Sequence, residues 1–272
     1  MSGSPLRIVF VTQEDPFYVP VFFRELENSY DRSRVAVVGV VIQATLGKRE
    51  LTKLVRQMLD FYGPWDFLRM GFRYAANRVM NVMALGLFRG RFPGTFSLRH
   101  FFRKRGWSIL PFENVNAPEF LRFVRAEGID VVASVAASQK FKSDLLAAPR
   151  YGCINIHSAF LPRNRGMMPN FWSLYHSDRE PLSAVTVHRM NEELDDGPIL
   201  LQETFPLDPR ESLDRLMRRT KVLSAHSLLK VLALYEKGEP PLMANDRSRA
   251  TYNSFPTRDD VRRFRQKGLK LL

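Results

Sequence analysis

Residues Val35–Ile42 read Val-Ala-Val-Val-Gly-Val-Val-Ile, a run without one polar side chain. A strand with one wet face alternates apolar and polar residues. An unbroken run therefore predicts a strand covered on both faces, as in a parallel sheet flanked by helices. The neighbours agree: Leu6–Val11 reads as another buried strand, and Phe17–Tyr30 as a helix with Val21, Phe22 and Leu26 on one side. Pro16 and Pro20 blur the start of that helix. Further on, strand-like Ser108–Phe112, Asp130–Val135 and Cys153–His157 alternate with helical Ala117–Glu127 and Lys142–Ala148, and Ala184–Arg189 and Ile199–Thr204 are β-rich. This order predicts an α/β chain with a doubly wound, mostly parallel sheet. Its ligands would sit beyond the carboxyl ends of the strands.

Two regions depart from that rhythm. Between Lys48 and Gly106, thirteen Lys and Arg meet three acidic residues, so this segment holds +10 of the chain's +13. It interleaves arginines with aromatic and Met residues, which predicts two or three amphipathic helices inserted between the second and third strands. Three readings of the insertion (48–106) stay open: solvated arginines over an apolar face packed on the sheet, a surface for an anionic lipid, phosphorylated substrate or partner, or a nucleic-acid surface. From Asp208 the pattern changes again. Asp208-Pro209-Arg210-Glu211 offers an N-cap, a first-turn proline and a reciprocal carboxylate, and apolar residues from Leu213 to Tyr235 then recur at helical spacing. The polar, basic tail, with Tyr252, Phe255 and Phe264 as its large anchors, reads as a small appendage. The expected division is 1–207, carrying the insertion, and 208–272.

Cys153 is the single cysteine, which excludes an internal disulfide and a cysteine-based zinc cage, and no metal is expected. The short apolar run Ile8–Val11 reads as a strand and not as a signal segment, and no run approaches the length of a spanning helix. The expectation is a cytoplasmic protein, peripheral to the membrane if the insertion binds lipid.

The chemistry concentrates in Gly152-Cys-Ile-Asn-Ile-His-Ser-Ala-Phe-Leu-Pro162 and Leu194-Asp-Asp-Gly-Pro-Ile199. Asn155 and His157, two apart on a strand, share a face. An acidic turn arrives later between two strands. An amide that can steady an oxyanion, an imidazole that can move a proton and a carboxylate that can orient it are parts for acyl-type transfer.

Asn155-Ile-His157, Leu161-Pro162, Arg165-Gly166, Pro169 and Leu194-Asp195-Asp196-Gly197-Pro198 resemble the signature of the 10-formyltetrahydrofolate-dependent formyltransferases. That group includes methionyl-tRNA, glycinamide ribonucleotide and sugar N-formyltransferases and formyltetrahydrofolate hydrolase. The resemblance runs from about Asp130 to Thr204. It implies a Rossmann-like sheet of the formyltransferase type, 10-formyltetrahydrofolate as formyl donor, and catalytic residues Asn155, His157 and Asp195. Asn155 would bond the formyl oxygen, His157 would move the proton, and Asp195 would hold water and the imidazole. The spacing to glycine in relatives selects Asp195, leaving Asp196 to turn chemistry or the folate-side loop. The folate would lie against the stretch around Ser138, Gln139 and Phe141 and the loop from Glu193 to Asp196, with Arg165 and Gly166 on the acceptor side. His188, either buried or near the folate slot, reads first as structural, as does Cys153, and Trp172 reads as an anchor for its helix.

Departures from the family pattern bear on the acceptor. Thr12-Gln-Glu-Asp-Pro16 stands where the purine enzymes carry a glycine-rich phosphate loop, and it is a poor cradle for phosphate. The tail past Gly238 is shorter than the barrel domain that methionyl-tRNA formyltransferases append, and Ala250–Thr257 could form the short hairpin seen in sugar enzymes. The favoured partner is a small or lipid-linked amine, amino-sugar-like. Methionyl-tRNA, hydrolysis without an acceptor, and a membrane- or RNA-binding protein on this scaffold are the alternatives. A homodimer also stays open.

Overall fold

The computed structural model describes residues 4–44, 51–85, 97–208 and 210–272. In chain order the elements are β1 (Leu6–Gln13), α1 (Val19–Ser29), β2 (Val35–Gln43), α2 (Leu51–Leu85), α3 (Leu98–Arg105), β3 (Ile109–Leu110), α4 (Pro118–Ala126), β4 (Val131–Val135) and α5 (Ser143–Leu146). There follow β5 (Cys153–His157), β6 (Arg165–Gly166), α6 (Pro169–Tyr175), β7 (Leu182–Arg189), β8 (Ile199–Pro206), α7 (Leu213–Tyr235), β9 (Tyr252–Asn253) and α8 (Arg258–Gln266). Seven strands make one sheet in the order β3-β2-β1-β4-β5-β7-β8, parallel from β3 to β5, with β7 and β8 added antiparallel. The fold is the doubly wound, mostly parallel sheet expected from the unbroken apolar strands.

The chain winds outward from β1 through β2 to β3, then returns to place β4 on the other side of β1. The strand order therefore reverses between β1 and β4, and a crevice opens there beyond the strand ends. One face of the sheet packs on α1, α3, α7 and α8, with Phe10, Phe23, Phe102 and Trp107 in one aromatic cluster. The other face packs on α4 and α5 through Phe120, Val124, Phe141 and Leu145.

Several expected boundaries move. The Ser108–Phe112 strand contracts to the two residues of β3. Helix α1 starts at Val19 with Pro20 in its first turn. Helix α7 is capped by Ser212, whose side chain accepts from the Arg215 N–H, and not by Asp208. Asp208 instead turns back on the Arg210 N–H. Ala250–Thr257 forms no hairpin: Tyr252–Asn253 pairs in parallel with Arg165–Gly166. Helix α2 breaks at Gly63 (φ 69°) and Pro64, because proline removes a helical donor and glycine accepts the left-handed turn. Arg265 of α8 bridges the break, donating to the Tyr62 carbonyl on one side and to Asp66 on the other.

Candidate active site

A cavity of about 1450 Å³ lies at the reversal point, between the ends of β1, β4 and β5 and the inner face of α2. Side chains of β5 alternate. Ile154 and Ile156 enter the first core and Cys153 the second, while Asn155 and His157 line the cavity. Asp195 arrives on the β7–β8 connection with φ 52°, a left-handed conformation that Asp tolerates better than most residues. Two residues later, a Cβ on Gly197 would lie 1.8 Å from the Arg189 carbonyl oxygen, so only glycine lets this loop close on β7.

The three groups converge. His157 Nε2 stands 2.9 Å from the Asn164 carbonyl oxygen. A carbonyl only accepts, so Nε2 carries its hydrogen and Nδ1 is left as the basic nitrogen. Nδ1 lies 3.4 Å from Asp195 Oδ1. Asn155 Nδ2 donates to the same Oδ1 at 3.2 Å, and Asp195 Oδ2 accepts the Gly166 N–H at 2.9 Å. Burial works against a charged Asp195. Attraction from the protonated form of the His157 ring, the adjacent His188 ring and the Gly166 N–H outweighs it and holds the carboxyl well below the usual range.

A fourth member was not assigned from sequence. His188 sits opposite Asn155 in the β5–β7 ladder, fully buried. Its Nδ1 donates to the Arg189 carbonyl at 3.0 Å, which leaves Nε2 to accept the second Asn155 amide hydrogen at 3.2 Å. Only the cross-strand register reveals this pairing; the residue's own neighbours in sequence do not.

Asp196 points elsewhere. Its buried carboxylate is bridged by Arg165 at 2.7 Å and by Arg247, and accepts from Asn191 at 3.0 Å. Burial opposes its charge, but hydrogen bonds from Arg247, Asn191 and Arg165 bring its pKa down to about 2. Asn245 adds bonds to the Asp195 and Gly197 carbonyls at 3.0 and 3.1 Å. The appendage thereby clamps the acidic loop. Arg165 and Asp196 are each other's partners, and neither lines the cavity, whereas Gly166, Ser138, Gln139, Phe141 and Glu193 do. Ser138 is spent on Gln43, and Gln139 on the Val115 N–H and the Glu113 carbonyl. The Phe141 ring is buried in the second core. That wall offers a ligand chiefly main chain. Among the described residues, the four non-glycine positions with positive φ, namely Ala136, Asn164, Met168 and Asp195, all border this site, as strained backbone at functional sites tends to do.

At the β1 end, Asp15 accepts the N–H groups of Phe17, Tyr18 and Val19 at 2.7, 3.2 and 3.2 Å. An internal carboxylate therefore already occupies the amino end of α1, where an external anion would otherwise bind. Lys221 of α7 lines the same end of the cavity. Burial lowers its pKa, and the Asp15 charge opposes that shift.

A formyl transferase family profile matches residues 98–232. A methionyl-tRNA formyltransferase from Thermotoga neapolitana is 30% identical over 207 residues, covering 74% of this chain and 66% of the relative. The chain spans about half the length of other curated relatives it matches, such as 47% of one from Thermotoga maritima. Among solved structures, a sugar N-formyltransferase from a Shewanella species superposes with a TM-score of 0.55 at 19% identity, covering 91% of this chain and 76% of that one. An N-formyltransferase from Helicobacter canadensis, solved with folinic acid and dTDP-3-aminofucose, gives 0.54 at 12% identity, covering 95% and 80%. The structural likenesses speak to the fold.

Proposed function

Because the chain belongs to the formyl transferase family, we propose that it moves a formyl group from 10-formyltetrahydrofolate to the primary amine of a small or lipid-linked acceptor, amino-sugar-like in the favoured case. The observation that carries this reading is the convergence of Asn155, His157 and Asp195 within 3.4 Å on the wall of one large cavity. A cavity of this size supports a reading in which donor and acceptor bind side by side. The main chain around Ala137–Phe141 and the loop around Glu193 would hold the folate, between apolar surfaces of Ala136, Met190 and Leu194.

The donor supplies an activated formyl carbon on a nitrogen that can leave. An acceptor N–C bond forms, the donor N–C bond breaks, and the amine's proton ends on the departing nitrogen. Asn155 can turn one of its two amide hydrogens from His188 Nε2 or Asp195 Oδ1 to the formyl oxygen as charge builds there. His157 Nδ1, freed by the Nε2–H bond to Asn164, takes the proton from the attacking amine and returns it to the leaving side. Asp195, kept ionised, steadies the imidazolium and fixes the Asn155 amide.

The seat of Asp15 on the α1 amino end supports an acceptor that does not dock a phosphate there, and so weighs against a ribonucleotide of the purine type. The curated relatives favour a second reading, methionyl-tRNA as acceptor. A panel of nucleotide-linked amino sugars, lipid-linked amines and methionyl-tRNA, supplied with 10-formyltetrahydrofolate, separates them. Tetrahydrofolate released in step with an N-formylated small amine supports the favoured reading, and formylation of methionyl-tRNA alone replaces it. Release at full rate with no acceptor makes the protein a hydrolase.

A further inference from the structure

Helix α2 is apolar on two opposite sides. In its second segment (64–85), Phe67, Met70, Tyr74 and Asn81 face the cavity. At 100° per residue, Trp65, Leu68, Phe72, Val79 and Val82 fall on the opposite side, in a single stripe. They are exposed by 79, 61, 79, 57 and 67%. Leu59 extends exposed apolar surface onto the first segment, whereas Val55 borders the cavity. A contiguous row of this kind left in water marks a contact surface.

The surrounding charge selects the partner. Of the nine Lys and Arg over residues 51–85 and 97–106, Arg73 is paired with Asp214 and Arg78 and Arg99 line the cavity, which leaves six against two Asp and no Glu. Arg56 lies between Val55 and Leu59 in sequence, and Arg69 follows Leu68; the Arg69 side chain is mostly exposed, with Asp66 at 3.5 Å. A second copy of the chain would bring two faces of the same sign together. A nucleic acid would satisfy the arginines and leave Leu68, Val79 and Val82 in water. An anionic bilayer accepts both, taking the apolar side chains below its headgroups and the cations among its phosphates. Among the described residues no helix is long and apolar enough to cross a membrane, so this geometry is that of a helix lying on the surface.

We propose that the outer stripe of α2, centred on Trp65 and Phe72, docks the protein on an anionic lipid surface. The test is sedimentation of the full chain with phosphatidylcholine vesicles, with and without phosphatidylglycerol. Binding is expected to the anionic vesicles, weakened by salt, with a blue shift of Trp65 emission that Trp65→Phe removes while binding persists. Trp65→Ser with Phe72→Ser should weaken binding at least about tenfold. These side chains are exposed and line no part of the cavity, so folding and formyl transfer should persist. Leu68→Ser with Val82→Ser reads the same stripe if the first variant misfolds. Three results overturn the proposal: equal indifference to both vesicles, undiminished binding of both serine variants, or a stripe-dependent dimer that ignores lipid.

Discussion

Asp195 and Asp196 are adjacent in sequence, yet one faces the cavity with His157 and the other is buried against Arg165 and Arg247. Asn155, His157 and Asp195 were legible because strand alternation and a recurring set of residues point to them. The partnership of Arg165 with Asp196, and of His188 with Asn155, was not, because each depends on elements brought together from distant parts of the chain. Replacing Asp196 by Asn leaves a buried guanidinium without its charge partner and should cost about 3 kcal/mol in urea unfolding at neutral pH. The pH dependence has a definite sign. The folded pKa of Asp196 is lowered from 3.8 to about 2, so its stabilisation is present above about pH 4 and lost as the pH falls through 2. The gap in thermal midpoint between the wild type and Asp196→Asn should therefore close over that interval. A constant gap from pH 5 to pH 2 would assign the effect to packing (about three units of pH suffice to separate the two).

Helices and strands were read more reliably at their centres than at their ends. Strand β5 matches its expected span, Cys153–His157, where the residues on either side turn the chain. The start of α7 does not match, and the reason is long-range. Asp208 and Ser212 both have capping side chains, but the carbonyls of Lys270 and Leu271 accept the Leu213 and Asp214 N–H groups, which fixes the first turn at Ser212. Ser212→Ala should lose about 1 kcal/mol of stability, whereas Asp208→Ala should lose only a few tenths, about 0.3 kcal/mol. Equal losses in parallel urea titrations would restore Asp208 as the cap. Nothing in the sequence said which side of α2 would line the cavity. Contact with Arg265 decides part of that placement.

For the molecule as a whole, the doubly wound, mostly parallel class followed from the alternation of buried strands and helices, whereas the strand order is known only from the structure. The role of the appendage did not follow. It closes the α7 amino end, pairs β9 with β6, where a Cβ on Gly166 would lie 2.3 Å from the Asn253 carbonyl, and holds the acidic loop through Asn245 and Arg247. Removing residues 269–272 strips two buried leucines and two carbonyl acceptors, and should cost about 5 kcal/mol. Chemical denaturation measures it, and a change below about 1 kcal/mol would make the tail dispensable.

One centre, built on β5 and the β7–β8 loop, is proposed to perform formyl transfer to an amine. Acceptor-dependent tetrahydrofolate release tests it most directly, compared across the wild type, Asn155→Ala, His157→Ala and Asp195→Asn. Release coupled to N-formyl product is expected in the wild type, with a fall in kcat of about 10²- to 10⁴-fold in each variant and the fold intact by circular dichroism. Turnover that survives unchanged in His157→Ala and Asn155→Ala would contradict it.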